Sequence, residues 1–261
     1  MTAFQSYVIC TSPRSGSTLL CTLLAATGVA SRPASYFYGS SVADWLEELG
    51  IVPDAGSSER EVLDAAFSEA MRQGRYGTGL FGLRQQQPGL DLLCEKLAVV
   101  EPGEMPHSER FARRFGTTLF IHLTRPDKLA QAVSYLKAEQ SGLWHVAPDG
   151  TELERLAPHR EPAYDFDRLR ACVETMTAYD RNWEAWFRRE EIDPLRISYD
   201  ELSADPVETL LIVLEKLGLD RAAADGIEPG VRKLADSTSA DWMARFRQDF
   251  LARQDRIDSG R

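Results

Sequence analysis

The sequence is poor in the residues that hold proteins together through disulfides or metal ions. Its 261 residues include only four cysteines and four histidines. The cysteines form no CxxC pair and lack the dense spacing of a disulfide scaffold; they are Cys10, Cys21, Cys94 and Cys172. The histidines are scattered without the intervals typical of metal ligands. We therefore expect reduced, mostly buried thiols in a cytoplasmic protein, and no metal site.

The sequence also lacks an excess of basic residues. Its formal net charge is −10, whereas nucleic acids and anionic membranes require a basic face on their partner. This charge argues against a general nucleic-acid or membrane-surface binder. Any anion site must then be a local basic pocket in an acidic protein.

No apolar run is long enough to cross a membrane. The longest largely apolar stretch, residues 18–30, is shorter than the ~20 residues that a bilayer-spanning helix needs. The N-terminus has neither the charged start nor the cleavage site of a signal peptide. We expect a soluble protein in the cytoplasm.

The pattern of apolar residues is that of one α/β domain spanning residues 1–261. Strand-like segments occupy residues 7–10, 76–84, 117–123 and 195–198. Helical patterns lie between and after them, chiefly at residues 59–75, 128–141, 166–190 and 206–217. Their alternation through short loops predicts a mainly parallel sheet flanked by helices. The polar stretch 145–162 is expected to form a lid or a loop facing the substrate.

The first strand, loop and helix, residues 7–28, form a candidate anion site. A Walker A loop would need GxxxxGK[ST], but here a single glycine, Gly16, has no lysine after it. Arg14 precedes that glycine, and hydroxyl residues flank and follow it. A helix that begins at such a loop directs free N–H groups and its positive dipole end at an anion. The alternative is an ordinary turn with a serine N-cap.

A second strand, loop and helix unit follows at residues 117–141. Arg125 stands at the carboxyl end of its strand, where ligands of parallel sheets gather, and Ser134 lies in its helix. An arginine fork and a hydroxyl together suit a phosphate. The alternatives are a surface ion pair of Arg125 with Asp127 and a Ser134 hydroxyl bonded back to its helix. Arg84, at the end of the segment 76–84, is a third residue that we expect to face a site.

Four segments together resemble the trehalose 2-sulfotransferase-like family of bacterial carbohydrate sulfotransferases. They are SPRSGSTLL, IHLTRPDKLAQAVSYLKAEQSGLW, RNWEAWFRREEIDPLRISYDEL and LADSTSADWMARFR. The resemblance covers nearly the whole chain. It implies a P-loop-like fold, 3′-phosphoadenosine 5′-phosphosulfate (PAPS) as sulfuryl donor, a hydroxyl-bearing acceptor that is usually a carbohydrate, and possible homodimers.

The resemblance also implies roles for individual residues. The residues that match the loop for the 5′-phosphosulfate are Arg14, Ser15, Gly16, Ser17 and Thr18. Arg125 and Ser134 match the pair that holds the 3′-phosphate. The tail matches a segment that closes over the cofactor and offers Arg232 as a further ligand; a solvated basic face is the alternative there.

The chain departs from the family at the general base. The family has a glutamate two residues after the proline of the segment that follows the first helix, and here Ser35 stands in that position after Pro33. A hydroxyl does not serve as a base at neutral pH without help. Either another residue is the base, the chain is inactive, or proton loss is late enough that a hydrogen bond suffices. Ser35 retains the capacity to orient the acceptor, and the base stays unassigned.

The predicted function is in-line transfer of a sulfuryl group from PAPS to a hydroxyl of a carbohydrate, glycolipid or small metabolite. Arg14 and the loop N–H groups would stabilise charge on the departing phosphate oxygen. The transferred group carries one negative charge, so this mechanism requires no metal. Two alternatives stay open: a cofactor-binding protein without turnover, and a nucleotide or metabolite kinase.

Overall fold

A computed structural model describes residues 4–147, 149–230 and 236–259, with side chains to residue 254. The described residues divide into two compact units. The first draws on Met1–Thr124 and Tyr179–Glu228, and the second on Arg125–Ala178 and Pro229–Arg261. The single domain expected for residues 1–261 stays a prediction, and each unit is described by itself.

The order of strands and helices along the described chain is that of an α/β protein. The strands are β1 Ser6–Thr11, β2 Phe81–Gln86, β3 Thr118–Thr124, β4 Leu143–Val146, β5 Glu152–Arg155 and β6 Leu195–Ser198. The helices are α1 Ser17–Ala26, α2 Val42–Leu49, α3 Glu59–Arg75, α4 Leu90–Val100, α5 His107–Phe115, α6 Lys128–Ser141, α7 Phe166–Arg189, α8 Tyr199–Ala204, α9 Pro206–Leu217 and α10 Ser237–Ser259. None of these helices has both the length and the apolar composition needed to cross a membrane.

The first unit is built on a parallel sheet with the strand order β2-β1-β3-β6. Every pair of neighbouring strands in it is parallel. Ile9 of β1 lies opposite Arg84 of β2, and Cys10 lies opposite His122 of β3. The carboxyl ends of the strands therefore share one edge, and polar residues that follow them in the sequence are brought to that edge.

Both faces of this sheet are covered, which explains the continuous burial of β1. Val8 and Cys10 pack in a cluster with Phe67 of α3 and Trp183 of α7. The alternate residues of β1 pack in a second cluster with helices α1 and α9; among them is Ile9. Burial on both faces is typical of parallel sheets between helices. The predicted α/β fold, with a mainly parallel sheet flanked by helices, is confirmed.

The second strand begins later than predicted. Residues 76–80 were expected in a strand, but β2 starts at Phe81. Tyr76 ends α3 in the left-handed conformation, with φ 46°, and the Thr78 hydroxyl donates to the Arg75 carbonyl oxygen at 2.8 Å. This hydrogen bond closes a turn in which the backbone reverses before it enters the sheet.

The second unit contains α6, α10, the hairpin β4–β5 and residues 166–178 of α7. The stretch 145–162, expected to form a lid or a loop facing the substrate, contributes to this hairpin, in which His145 lies opposite Glu154. Its strands are short and polar, so they give little hydrophobic alternation to read in the sequence. The Lys137 ammonium donates to Asp236 and to Ser239 Oγ, which ties α6 to the start of α10.

All four cysteines are buried and free, as predicted. Burial raises the pKa of the Cys21 thiol to about 11. It raises that of Cys94 to about 12. Thiols held neutral in this way are poor nucleophiles.

Candidate active site

The loop between β1 and α1 has a backbone that few side chains tolerate. Arg14 has φ +62° and Gly16 has φ +90°. The left-handed conformation costs a residue other than glycine roughly 1–2 kcal/mol, and surrounding structure must maintain it. Such local strain is concentrated at ligand-binding and catalytic loops.

Hydrogen bonds at the start of the loop fix its position on the sheet. The Thr11 hydroxyl donates to the Leu123 carbonyl oxygen of β3 at 3.1 Å and shares a short hydrogen bond with Ser15 Oγ. The Trp183 indole N–H donates to the Thr11 carbonyl oxygen at 2.8 Å. Thr11 and Ser15 have no exposed surface. The Ser15 hydroxyl thus braces the loop from inside, and only its backbone N–H is left for a ligand.

Helix α1 starts without a side-chain cap. Its N-cap is Gly16, which gives the first turn no side-chain hydrogen bond. By contrast, Ser41 caps α2 and Ser58 caps α3, each within a capping box. The predicted alternative, a turn with a serine N-cap, is therefore wrong for α1. Uncapped N–H groups and a helix dipole make this end suited to an anion.

Tyr199 supports the loop from the start of α8. A Cβ atom built on Gly16 would lie 2.7 Å from Tyr199 Cδ2 and 3.4 Å from a methyl carbon of Leu202. Cβ atoms of real proteins essentially never lie closer than 3 Å to another side chain's heavy atoms, so a glycine is required here for space as well as for its positive φ. Sequence reasoning missed this role of Tyr199, because nothing local links residues so far apart.

Arg84 joins two predicted site residues. Its Nε donates to Ser35 Oγ at 2.8 Å, and its Nη1 donates to Thr18 Oγ1 at 3.1 Å. The Ser35 hydroxyl donates in turn to the Arg84 carbonyl oxygen at 3.2 Å. A parallel bridge between Ala34 and Leu83 holds Ser35 beside the end of β2. The expectation that Arg84 faces the site agrees with these contacts.

The other predicted phosphate ligands belong to the second unit. Arg125 follows β3 directly and is 8% exposed, so its side chain is buried. The Asp127 carboxylate accepts from the Ala130 N–H at 2.8 Å and caps α6. Ser134 lies in α6 and is half-buried. The structure brings Arg125 and Ser134 into one unit, and Arg14 to Thr18 into the other.

The predicted ligand in the tail, Arg232, lies outside the described residues. Further along the tail, Arg245 lies with its guanidinium carbon 4.2 Å from the ring centroid of Tyr164. It also approaches Asp241 to 3.7 Å. Both contacts of the Arg245 guanidinium are with residues of the second unit.

A buried histidine on β3 gives the first unit a second polar region. His122 Nδ1 lies 3.1 Å from Glu184 Oε1, and an open cleft of about 340 Å³ beside it is also lined by Asp180. Burial lowers the pKa of His122, against the opposing effects of Asp180 and Glu184. Burial raises the pKa of Glu184, but hydrogen bonds from Arg196 and His122 outweigh it and lower that pKa overall. Within the described residues, no group of three or more His, Cys, Asp or Glu side chains is arranged to hold a metal ion.

The chain is similar to known sulfotransferases. The chain is 28% identical over 273 residues to a trehalose 2-sulfotransferase of Mycobacterium tuberculosis, covering 95% of this chain and 96% of that protein. It is 28% identical over 262 residues to a trehalose 2-sulfotransferase of Mycolicibacterium smegmatis, covering 94% and 95%. Among solved structures, the sulfotransferase domain of the Synechococcus PCC 7002 olefin synthase aligns over 94% of both chains, with a TM-score of 0.44 and 17% identity.

A family model described as Stf0 sulphotransferase matches residues 6–249. The match begins at β1, takes in the strained loop and α1, and extends into α10. The resemblance to trehalose 2-sulfotransferases predicted from the sequence is confirmed. This chain belongs to the Stf0 sulfotransferase family.

Proposed function

We propose that this sulfotransferase moves the sulfuryl group of PAPS to a hydroxyl of a carbohydrate, glycolipid or small metabolite by in-line transfer. The observation that carries the proposal is the uncapped N-terminus of α1 behind a loop with a strained Arg14. The names of the two trehalose 2-sulfotransferases support a carbohydrate acceptor.

The strained loop suits the 5′-phosphosulfate end of PAPS. Its backbone N–H groups lie at the start of α1, where no side chain of the N-cap occupies them. Arg14, Ser15, Gly16, Ser17 and Thr18 are the residues that would hold this end. Hydrogen bonds from N–H groups and a guanidinium to the bridging phosphate oxygen stabilise the charge that develops there.

The second phosphate of PAPS is assigned to Arg125 and Ser134. Arg125 is buried and belongs to the same unit as Ser134. A 3′-phosphate offers three oxygens, which suit the planar fork of an arginine and a serine hydroxyl. Arg232 is proposed as an additional ligand of the same group.

Ser35 is proposed to orient the acceptor hydroxyl. Its Oγ donates to the Arg84 carbonyl oxygen and accepts from Arg84 Nε. A hydroxyl that already accepts from a cation is a poor proton acceptor, so Ser35 is not proposed as the base. The base is unassigned. Cytoplasmic location and a homodimer stay predictions.

Ligand binding tests the donor assignment. Calorimetry should detect adenosine 3′,5′-bisphosphate binding far more tightly than ATP with Mg²⁺. Arg14→Ala and Arg125→Ala should each weaken this binding by about tenfold or more, because each removes a charged hydrogen bond. Arg72→Ala is the control, since Arg72 is an exposed partner of Glu69 on α3. Tighter binding of ATP would favour a kinase and overturn the proposal.

A binding protein without turnover is the second candidate, and the hydrogen-bonded Ser35 favours it because Ser35 supplies no base. Transfer of radiolabelled sulfate from PAPS to a mixed carbohydrate panel separates the two. Labelled product supports the enzyme. Binding of adenosine 3′,5′-bisphosphate with no product from any acceptor would support the binder.

A further inference from the structure

Arg84 carries a positive charge that no carboxylate balances within the described residues. Its guanidinium contacts are to two neutral hydroxyls, Ser35 Oγ at 2.8 Å and Thr18 Oγ1 at 3.1 Å. Its side chain is half-buried, so water screens the charge only in part. Other arginines of this acidic chain face acidic side chains; examples are Arg114 with Asp64, Arg168 with Glu139 and Arg253 with Asp167.

The titratable group on which Arg84 acts does not balance the charge either. Cys21 of α1 is buried, and burial raises its pKa to about 11, while the charge of Arg84 acts in the opposite direction. The thiol is therefore neutral at pH 7. A half-buried guanidinium held only by neutral groups is stabilised further by any anion that reaches it.

Arg84 lies between the proposed donor loop and the residue proposed to orient the acceptor. The guanidinium links Thr18, on the first turn of α1, to Ser35, the residue proposed to orient the acceptor. Ser35 Oγ already donates its proton to the Arg84 carbonyl oxygen. Neither Arg84 nor Ser35 can remove a proton from an acceptor at neutral pH. The local chemistry thus supplies a cation and lacks a base.

We propose that the acceptor is a hydroxy acid of the sugar-acid class, whose carboxylate binds Arg84 beside the hydroxyl that receives the sulfuryl group. This inference rests on the proposed function and narrows its acceptor. The acceptor oxygen forms a new bond to sulfur, and the bond from sulfur to the 5′-phosphate oxygen breaks with its electron pair leaving on adenosine 3′,5′-bisphosphate. The hydroxyl proton passes to solvent water, because the acceptor's carboxylate is held by the Arg84 guanidinium and neither Arg84 nor Ser35 is a base at neutral pH.

A matched pair of small probes tests the inference. Glucuronate and glucose are titrated into the full chain saturated with adenosine 3′,5′-bisphosphate. Glucuronate should bind at least about tenfold more tightly, because a charge-assisted hydrogen bond to a guanidinium is stronger than one between neutral groups. Equal binding of the two sugars, or no binding of glucuronate, would overturn the inference.

Variants assign the preference to Arg84. Arg84→Gln keeps amide donors toward Ser35 and Thr18 but removes the charge, and it should bring the ratio of the two affinities to about one. Arg84→Lys should retain the preference. Ser35→Glu should abolish it as well, because the introduced carboxylate occupies Arg84. Arg32→Gln is the control, since the Arg32 guanidinium lies over the Tyr76 ring, 5.2 Å from its centroid.

The same titrations separate this inference from the proposed function. If Arg84 binds the donor instead, Arg84→Gln weakens the binding of adenosine 3′,5′-bisphosphate and leaves the ratio of the glucuronate and glucose affinities unchanged. This result overturns the inference but not the proposed function. If the unaltered chain does not bind adenosine 3′,5′-bisphosphate, the proposed function fails and the inference fails with it.

Discussion

The ring of Tyr199 packs against Gly16, so a Cβ atom at residue 16 would lie 2.7 Å from Tyr199 Cδ2. This contact joins α8 to the first turn of α1. The proposed phosphosulfate loop therefore depends on Tyr199, which lies 183 positions after Gly16 in the chain.

Gly16→Ala should destabilise the first unit and weaken the binding of adenosine 3′,5′-bisphosphate. The change adds the strain of φ +90° to the contact with Tyr199, together roughly 2–4 kcal/mol of unfolding free energy. Gly28→Ala is the control, because Gly28 has φ +69° but no atom within 4 Å of its added Cβ. Urea unfolding and calorimetry give the two readouts. An equal loss in both variants would mean that the Tyr199 contact has no energetic weight.

Trp183→Phe should cost more stability than Trp186→Phe. Both rings are buried, but the Trp183 N–H donates to Thr11 at 2.8 Å, whereas that of Trp186 reaches His107 Nδ1 only at 3.4 Å. Loss of the shorter bond leaves a buried carbonyl oxygen unsatisfied, at a cost of about 1–3 kcal/mol. Chemical denaturation of both variants measures the difference. A smaller loss for Trp183→Phe would show that this bond does not anchor the loop.

Unfolding free energy should fall as the pH drops below about 6.5. Burial lowers the pKa of His122 below its ordinary value of 6.5, and it also lowers that of His107. Well above pH 6.5 the imidazoles are neutral in the folded and unfolded chain alike. Below it the unfolded chain binds protons that the folded chain does not yet take up, so stability increases with pH through this range.

His122→Asn should flatten this pH dependence. The substitution removes one of the two imidazoles whose pKa is lowered and leaves the other, so the slope below about pH 6.5 should decrease without vanishing. His159→Asn serves as the control, because the His159 side chain is exposed. Thermal or urea unfolding at stepped pH measures the slope. An unchanged slope in His122→Asn would mean that the imidazole takes up its proton equally in both states.

Lys137→Met should loosen the start of α10. The Lys137 ammonium donates to Asp236 Oδ1, and that carboxylate also accepts from the Ser239 N–H at 2.9 Å. Loss of the half-buried bond should lower local stability by about 1 kcal/mol and speed hydrogen exchange or proteolysis near residue 236. Lys216→Met, at an exposed position of α9, is the control. Identical hydrogen exchange in both variants would show that the hydrogen bond from Lys137 to Asp236 does not restrain α10.

Local sequence signals predicted those elements whose ends are marked by capping residues. The expected helix 59–75 coincides with α3, where Ser58 and Glu61 form a capping box. The expected helix 206–217 coincides with α9, which starts after the Asp205 cap and ends at Gly218. Each of these signals acts within one helical turn, so a single sequence is sufficient to read it.

Boundaries without such signals were less well predicted. The glycine-rich segment 76–80 was expected in a strand because apolar residues follow it, but Tyr76 and Thr78 form a turn before β2. The hairpin of β4 and β5 was not predicted, since its pairs such as His145 and Glu154 are polar and lack the alternation of a buried strand. A turn closed by the Thr78 hydroxyl decided the first segment, and pairing between two strands decided the second.

The sequence by itself determined the candidate loop, the family and the α/β class, because the apolar periodicity and the order of Arg14, Ser15, Gly16, Ser17 and Thr18 are local properties of the chain. Only the tertiary structure decided which groups meet there. Parallel pairing of β1 with β2 brings Arg84 between Thr18 and Ser35, which are 66 and 49 residues away from it in sequence. Contacts over such distances depend on strand order and register, and no pattern within one segment encodes them.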